Sequence, residues 1–267
     1  MRFFIGPCVL ESEELVQEIA DFLSQKLKGI EGAQLVFKGS FDKANRTSID
    51  SFRGPGIDKG LKMLESVKRR YGLELVTDYH TADQADEVAS VVDYLQVPAF
   101  LCRQTDMVVA GAKACAKYKK NLKIKKAQFL APWDMENVVA KAATYLDKKN
   151  IFLTERGTCF GYNNLIVDMA SFQIMKSFGV QTVHDATHCV QKPGGLGQIT
   201  GGKREQILSL ARAAVAAGAD NIFMECHPRP DEALSDKTTS LQMEKVPGIV
   251  EQLLKLRQTI GEFDGNQ

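Results

Sequence analysis

Residues 151–188 read IFLTERGTCFGYNNLIVDMASFQIMKSFGVQTVHDATH. Two apolar runs, Ile151–Leu153 and Val180–Val183, each end in polar groups able to do chemistry, Thr154-Glu155-Arg156 and Asp185 with His188. Between them, roughly residues 165–178 carry a helical pattern, so the stretch is one β-α-β unit. Outward from it the unit recurs. The runs Phe3–Ile5, Leu35–Phe37, Leu73–Val76, Val91–Leu95, Leu122–Ile124 and Ile222–Met224 bring the count to eight. At or just after the eight ends stand Cys8, Lys38, Asp78, Gln96, Lys125, Arg156, His188 and Glu225. Eight β-α units with reactive groups at the strand C-termini describe an α/β chain folded as a (β/α)8 TIM barrel, and they mark its active face. The runs are continuous rather than alternating, as expected of strands buried on both faces. An open doubly wound sheet would alternate in the same way; the count of eight favours closure.

The helices are expected near 12–27, 57–71, 82–90, 136–146, 204–217 and 248–260, with a polar, frayed tail at 261–267. A length of 267 residues fits one barrel of about 250, so residues 1–267 are read as a single domain. The formal net charge is +1, which implies neither nucleic acid nor an anionic membrane as a partner. No apolar stretch approaches the roughly 20 residues of a membrane span, and no secretory leader precedes the first strand. The six cysteines form no Cys-x-x-Cys pair, which reads as reduced thiols in a cytoplasmic protein.

The densest polar segment is Lys38–Ser48, with two lysines, one arginine and three hydroxyls in eleven residues. Ammonium, guanidinium and hydroxyl donors together suit oxyanions. A solvated loop of the same composition is the plainer possibility. Lys113–Lys126 holds seven lysines in fourteen residues; with only Tyr118 interleaved, it reads as a solvated helix end whose last two lysines reach the strand tip. Gly194–Gly202 lacks a P-loop's Gly-Lys-Ser/Thr and reads as a mobile lid. Trp133 is expected to pack on the barrel rim, and Asp185 to orient His188.

Phe41–Ser48, FDKANRTS, resembles the hallmark of the 3-deoxy-D-manno-octulosonate 8-phosphate synthases. Gly6-Pro7-Cys8, Thr77-Asp78-x-His80, Gln96–Asp106, Lys125-Lys126-x-Gln128-Phe129, Thr154–Gly157, Phe160–Leu165, Asp185–His188 and Met224-Glu225-x-His227-Pro228 resemble the same family. The resemblance spans nearly the whole chain. It implies a transferase, a 3-deoxy-8-phosphooctulonate synthase, that condenses phosphoenolpyruvate with D-arabinose 5-phosphate and water. Its product serves lipopolysaccharide or plant cell-wall sugar. The aromatic-pathway relative, 3-deoxy-arabino-heptulosonate 7-phosphate synthase, uses erythrose 4-phosphate and reads Lys-Pro-Arg-Thr-Ser in this loop. Asn45 therefore favours the five-carbon aldose. The same strand tips would also suit a non-catalytic phosphosugar-binding barrel, or a Schiff-base aldolase using Lys125 or Lys126.

By the resemblance, Lys38, Ser40, Lys43, Gln96, Lys125, Arg156 and His188 surround phosphoenolpyruvate and the chemistry. Asn45, Arg46, Ser48 and Asp78 hold the aldose phosphate, with Arg103 reaching it from a neighbouring subunit of a homotetramer. The family's metal-independent members carry asparagine where this chain has Cys8, so the resemblance is to the metal-dependent class. Its ligands match Cys8, His188, Glu225 and Asp236. A thiolate, an imidazole and two carboxylates suit one divalent ion, zinc, ferrous iron or manganese. The family has a shorter connection before strand five and places asparagine where this chain has Lys123.

Overall fold

The computed structural model describes residues 1–196 and 199–264. Eight parallel strands form the barrel. They are β1 (Arg2–Gly6), β2 (Gln34–Lys38), β3 (Glu74–Asp78), β4 (Tyr94–Val97), β5 (Asn121–Lys125), β6 (Ile151–Glu155), β7 (Gln181–Asp185) and β8 (Asn221–His227). Each pairs with the next, and β8 returns to β1 with Gly6 opposite Glu225, so the sheet is closed. The helices between and after them are α1 (Glu13–Leu27), α2 (Ile57–Tyr71), α3 (Gln84–Val91), α4 (Thr105–Tyr118), α5 (Met135–Ala143), α6 (Ser171–Lys176), α7 (Ile207–Ala216) and α8 (Val246–Asp264).

Strand side chains alternate between faces, and that alternation builds the interior. Phe4, Val36, Val76, Tyr94, Phe152, Val183 and Phe223 form one buried cluster, one residue from each strand except β5. Phe4, Tyr94 and Phe152 meet edge to face at 5.0 to 6.2 Å, the arrangement aromatic quadrupoles favour. Two residues farther along the same faces stand Gly6, Lys38, Asp78, Gln96, Thr154, Asp185 and Glu225, and β5 adds Lys125. Every strand therefore carries a residue of the active side at or near the end of its inner face. At Gly6 a Cβ would lie 2.0 Å from the Lys38 carbonyl oxygen, so only glycine fits. The larger core cluster lies outside, between strands and helices; Ser12 caps α1 by accepting from the Leu15 N–H at 3.2 Å.

Three local expectations need correction. Val91 belongs to α3 and Val92 caps it, its N–H reaching Val88 O at 3.1 Å, so β4 starts at Tyr94. A short run of buried valines does not by itself distinguish a helix end from a strand. Leu165-Ile166 do not begin a helix; they pair antiparallel with Thr158-Cys159. Gly161 and Asn163 take positive φ there, and Asp168 accepts from the Ala170 N–H at 2.9 Å, which delays α6 to Ser171. Helix α8 runs on to Asp264, past the expected stop at Ile260, and residues 265–267 lie outside the described residues.

Candidate active site and metal centre

The strand tips and the loops after them enclose a cavity of about 680 Å³. Its walls include Lys43, Asn45, Arg46, Asp78, Lys125, Arg156, His188 and Asp236. These come from the loops after β2 and β8 and from the ends of β3, β5, β6 and β7. With Lys237, five cationic side chains face one cleft, an arrangement suited to anions.

On one side sits a cluster of ligand atoms. One atom each of Cys8, Glu225 and Asp236 lies within 4.8 Å of the others. Cys8 Sγ donates to Asp236 Oδ2 at 3.0 Å. His188 Nε2 lies 3.5 Å from Glu225 Oε1 and 3.4 Å from Asp236 Oδ2, beside the cluster. Its Nδ1 meets the Asp185 carboxylate at 2.8 and 2.9 Å. That contact fixes the ring and turns Nε2 toward the cluster. Among the described residues Glu225 Oε2 is buried without a hydrogen-bond partner. An orphaned carboxylate oxygen, a thiol and an aimed imidazole fit a divalent ion of the zinc or iron type. Asp236 takes φ of 49°, a left-handed backbone unusual for aspartate.

Beneath the cavity is a network of paired charges. Lys38 Nζ binds Glu225 Oε1 at 2.5 Å and the Pro7 and Cys8 carbonyls at 3.1 and 2.6 Å. Lys125 Nζ binds Asp185 Oδ2 at 2.8 Å. Ser40 Oγ donates to Asp78 Oδ2 at 2.7 Å and accepts from Lys43 Nζ at 3.2 Å. Gln96 Nε2 donates to the other Asp78 oxygen. Burial disfavours the Asp78 charge, but Lys43, Lys38 and Lys125 outweigh it and hold that carboxyl well below its ordinary range. Burial likewise opposes the charge on Lys43, but Cys8, Glu225, Asp78 and Asp236 outweigh it and keep the ammonium above its ordinary value. Burial pushes the Cys8 thiol up, and Asp236 and Glu225 add to that. A cation in the cluster would oppose the shifts at Lys43 and Cys8 and reinforce that at Asp78.

Sequence-expected residues divide into groups. Lys43, Asn45, Arg46, Asp78, Lys125, Arg156 and His188 reach the cavity wall. Lys38, Ser40 and Gln96 lie buried below it. Ser48 is off the wall, its Oγ accepting from the Asp50 N–H at 3.3 Å, while Thr47 and Ser51 line the cavity. Arg103 is exposed and outside the cavity, its carbonyl accepting from Lys141 Nζ at 3.4 Å. Trp133 stands on the loop after β5 but is not packed there; it is 63% exposed. Gly194–Gly202 falls in a hairpin, Gln191–Leu196 against Ile199–Gly202, with residues 197 and 198 outside the described residues.

Two working residues carried no signal in the sequence. Gln191 accepts from Arg156 Nη2 at 2.9 Å and donates to Asp236 Oδ1 at 3.0 Å, joining the anion side to the ligand cluster. Phe223 carries the ammoniums of Lys125, Lys123 and Lys38 at 4.3, 4.8 and 5.6 Å from its ring centre. Cation–π attraction of about 0.5–2 kcal/mol per contact partly replaces their lost hydration.

Fold and site together define a class: a (β/α)8 barrel with a cation-lined cleft beside a candidate metal centre. Residues 1–262 match the DAHP synthetase I family, and the chain belongs to it. The 2-dehydro-3-deoxyphosphooctonate aldolase of Trichlorobacter lovleyi is 52% identical over 251 residues, 94% of this chain and 90% of that protein. Proteins of the same name from Citrifermentans bemidjiense (50% over 248 residues, 93% and 89% covered) and a Synechococcus strain (48% over 262, 98% and 90%) are similar throughout.

Proposed function

We propose that this chain condenses phosphoenolpyruvate with D-arabinose 5-phosphate and water, giving 3-deoxy-D-manno-octulosonate 8-phosphate and inorganic phosphate. 2-Dehydro-3-deoxyphosphooctonate aldolase, the name its relatives carry, denotes this same enzyme. The observation that carries the reading is the cation-walled cavity against the Cys8–Glu225–Asp236 cluster. Two substrates bring three anionic groups, and Lys43, Arg46, Lys125 and Arg156 supply fixed positive charge to receive them. Among the described residues Arg156 Nη1 is buried without a hydrogen-bond partner, a donor available beside the cavity.

In the reaction the methylene carbon of the enol bonds to the aldehyde carbon, and water adds to the neighbouring carbon. The hemiketal phosphate then loses inorganic phosphate by carbon–oxygen cleavage. Charge develops on oxygen at each stage, and cations fixed before reaction stabilise it without rearranging solvent. Arg156 and Lys125 hold the phosphoenolpyruvate end; Asn45 and Arg46 hold the aldose phosphate. Asp78, ionised by its lysine neighbours, accepts hydrogen bonds from sugar hydroxyls. Cys8, His188, Glu225 and Asp236 would hold one divalent ion, zinc, ferrous iron or manganese, which when bound supplies Lewis acidity and a template.

No described helix is long and apolar enough to cross a membrane, and all six cysteines are free, which supports a cytoplasmic setting. Phe100, Phe129, Trp133 and Phe160 stand on the loops after β4, β5 and β6, each more than half exposed. That apolar rim supports a homotetramer in which Arg103 serves a neighbouring site.

Phosphate release from phosphoenolpyruvate with arabinose 5-phosphate tests the reaction, with erythrose 4-phosphate in parallel. Arabinose-selective turnover, abolished by chelation and restored by metal, is the expected outcome. Turnover indifferent to complete metal removal would discard the metal, and preference for erythrose 4-phosphate would reassign the substrate. Cys8→Ser should lose most activity and stoichiometric metal while keeping its melting temperature.

A further inference from the structure

Strand β5 breaks the rule that fills the barrel. Where seven strands place an apolar residue two positions below the active layer, β5 places Lys123, fully buried. Its register sets it between Gln96 on β4 and Phe152 on β6. Its ammonium nitrogen lies 5.4 Å from the Phe4 ring centre and 4.8 Å from that of Phe223. Its hydrogen bond runs upward, to Gln96 Oε1 at 2.6 Å. Gln96 in turn donates from Nε2 to Asp78.

We infer that Lys123 is a positioning residue for the aldose end of the site, acting through the Gln96 amide on Asp78. An amide has one accepting and one donating end. With a lysine below and a carboxylate above, only one orientation satisfies both neighbours. The reverse would set N–H against a donor and oxygen against an anion, leaving buried groups unpaired. Lys123 therefore fixes the amide, and the amide fixes one Asp78 oxygen while Ser40 fixes the other. Burial, with Lys125 nearby, lowers the Lys123 pKa well below its ordinary value, while Asp185 and Asp78 oppose that shift. An apolar residue at 123 would pack as well against Phe4 and Phe223, so packing does not explain a lysine there. Orientation of Gln96 does.

The role of Lys123 rests on the proposed reaction for its substrate and on the amide for its geometry, and the two are separable. In protein labelled with ¹⁵N-glutamine, the Gln96 side-chain amide, assigned by its loss in Gln96→Glu, should be protected from solvent exchange. In Lys123→Met that protection should fall at least tenfold. Lys123→Gln, which keeps an N–H donor on a shorter side chain, should recover part of it. In turnover, Lys123→Met should raise KM for arabinose 5-phosphate about tenfold, leave KM for phosphoenolpyruvate within twofold and not lower the melting temperature. Unchanged Gln96 protection, equal shifts in both KM values, or a melting temperature that falls with activity would overturn the inference. If the wild type does not turn over this substrate pair, the reaction is wrong and the amide measurement alone decides the role of Lys123.

Discussion

Along the inner faces of the barrel, Phe4, Val36, Val76, Tyr94, Phe152, Val183 and Phe223 are followed two residues later by Gly6, Lys38, Asp78, Gln96, Thr154, Asp185 and Glu225. The two tiers are about 7 Å apart on each strand. The lower tier is aromatic and aliphatic, buried and interlocked. Except at Gly6 the upper tier is polar, and its acids and bases are paired with one another or turned to the cavity. One backbone thus serves two purposes, with cohesion below and reactivity above. Only β5 mixes them, through Lys123.

That separation can be broken from either tier, and the largest effect should come from below. Phe152→Ala removes a ring that touches Phe4 and Tyr94, and should cost about 3–5 kcal/mol in urea unfolding. Turnover per folded molecule should stay close to that of the wild type. Lys38→Met tests the seam between the tiers. It leaves Glu225 buried without its ammonium, a loss of about 3–5 kcal/mol for a broken buried pair, and it should lower activity as well. Arg156→Ala touches only the upper tier, and kcat/KM should fall about 10²–10³-fold with unfolding nearly unchanged. A large stability loss in Arg156→Ala would mean that the tiers are one unit.

A smaller effect depends on pH. His184 lies on β7 among Phe172 and Cys189, and burial pushes its pKa down to about 4. The unfolded chain takes up the proton near pH 6.5. The stability it contributes is therefore complete above pH 6.5 and is lost as pH falls toward 4, by an amount on the order of 3 kcal/mol at most. His184→Gln should flatten that part of the pH–stability curve. Asp78, Asp185 and Glu225, all held below the ordinary carboxylate range despite burial, add their losses lower, below about pH 4. The smallest stability effect belongs to the rim: Phe160→Ser should change monomer unfolding by less than about 0.5 kcal/mol. It should nonetheless shift sedimentation toward smaller species if that rim is a subunit contact.

How legible the two tiers were in the sequence follows from the same geometry. Apolar runs ending in polar residues are a one-dimensional image of the lower tier meeting the upper, so eight strands and their reactive tips could be read off. Val91-Val92 and Leu165-Ile166 were misplaced because short apolar pairs do not declare their element. Aspartate side chains decided it: Asp93 accepts from the Leu75 N–H on β3 just before β4, and Asp168 opens α6. Gln191 gave no signal, since its two partners, Arg156 and Asp236, are 35 and 45 residues away. The charge of Lys123 was visible, but its direction was not, because a lysine-rich stretch looks solvated until register turns members of it inward, as it does Lys123, Lys125 and Lys126.

Gly6 is the one upper-tier position without a side chain, held open by a Lys38 carbonyl that a methyl group would strike. Any replacement there moves β1 against β2, and with β1 moves Cys8, two residues farther on. The position is thus closed to gradual drift in a lineage. New substrate preferences in this scaffold have to arise on the other seven strand tips, or in the loops above them, while the first strand stays silent.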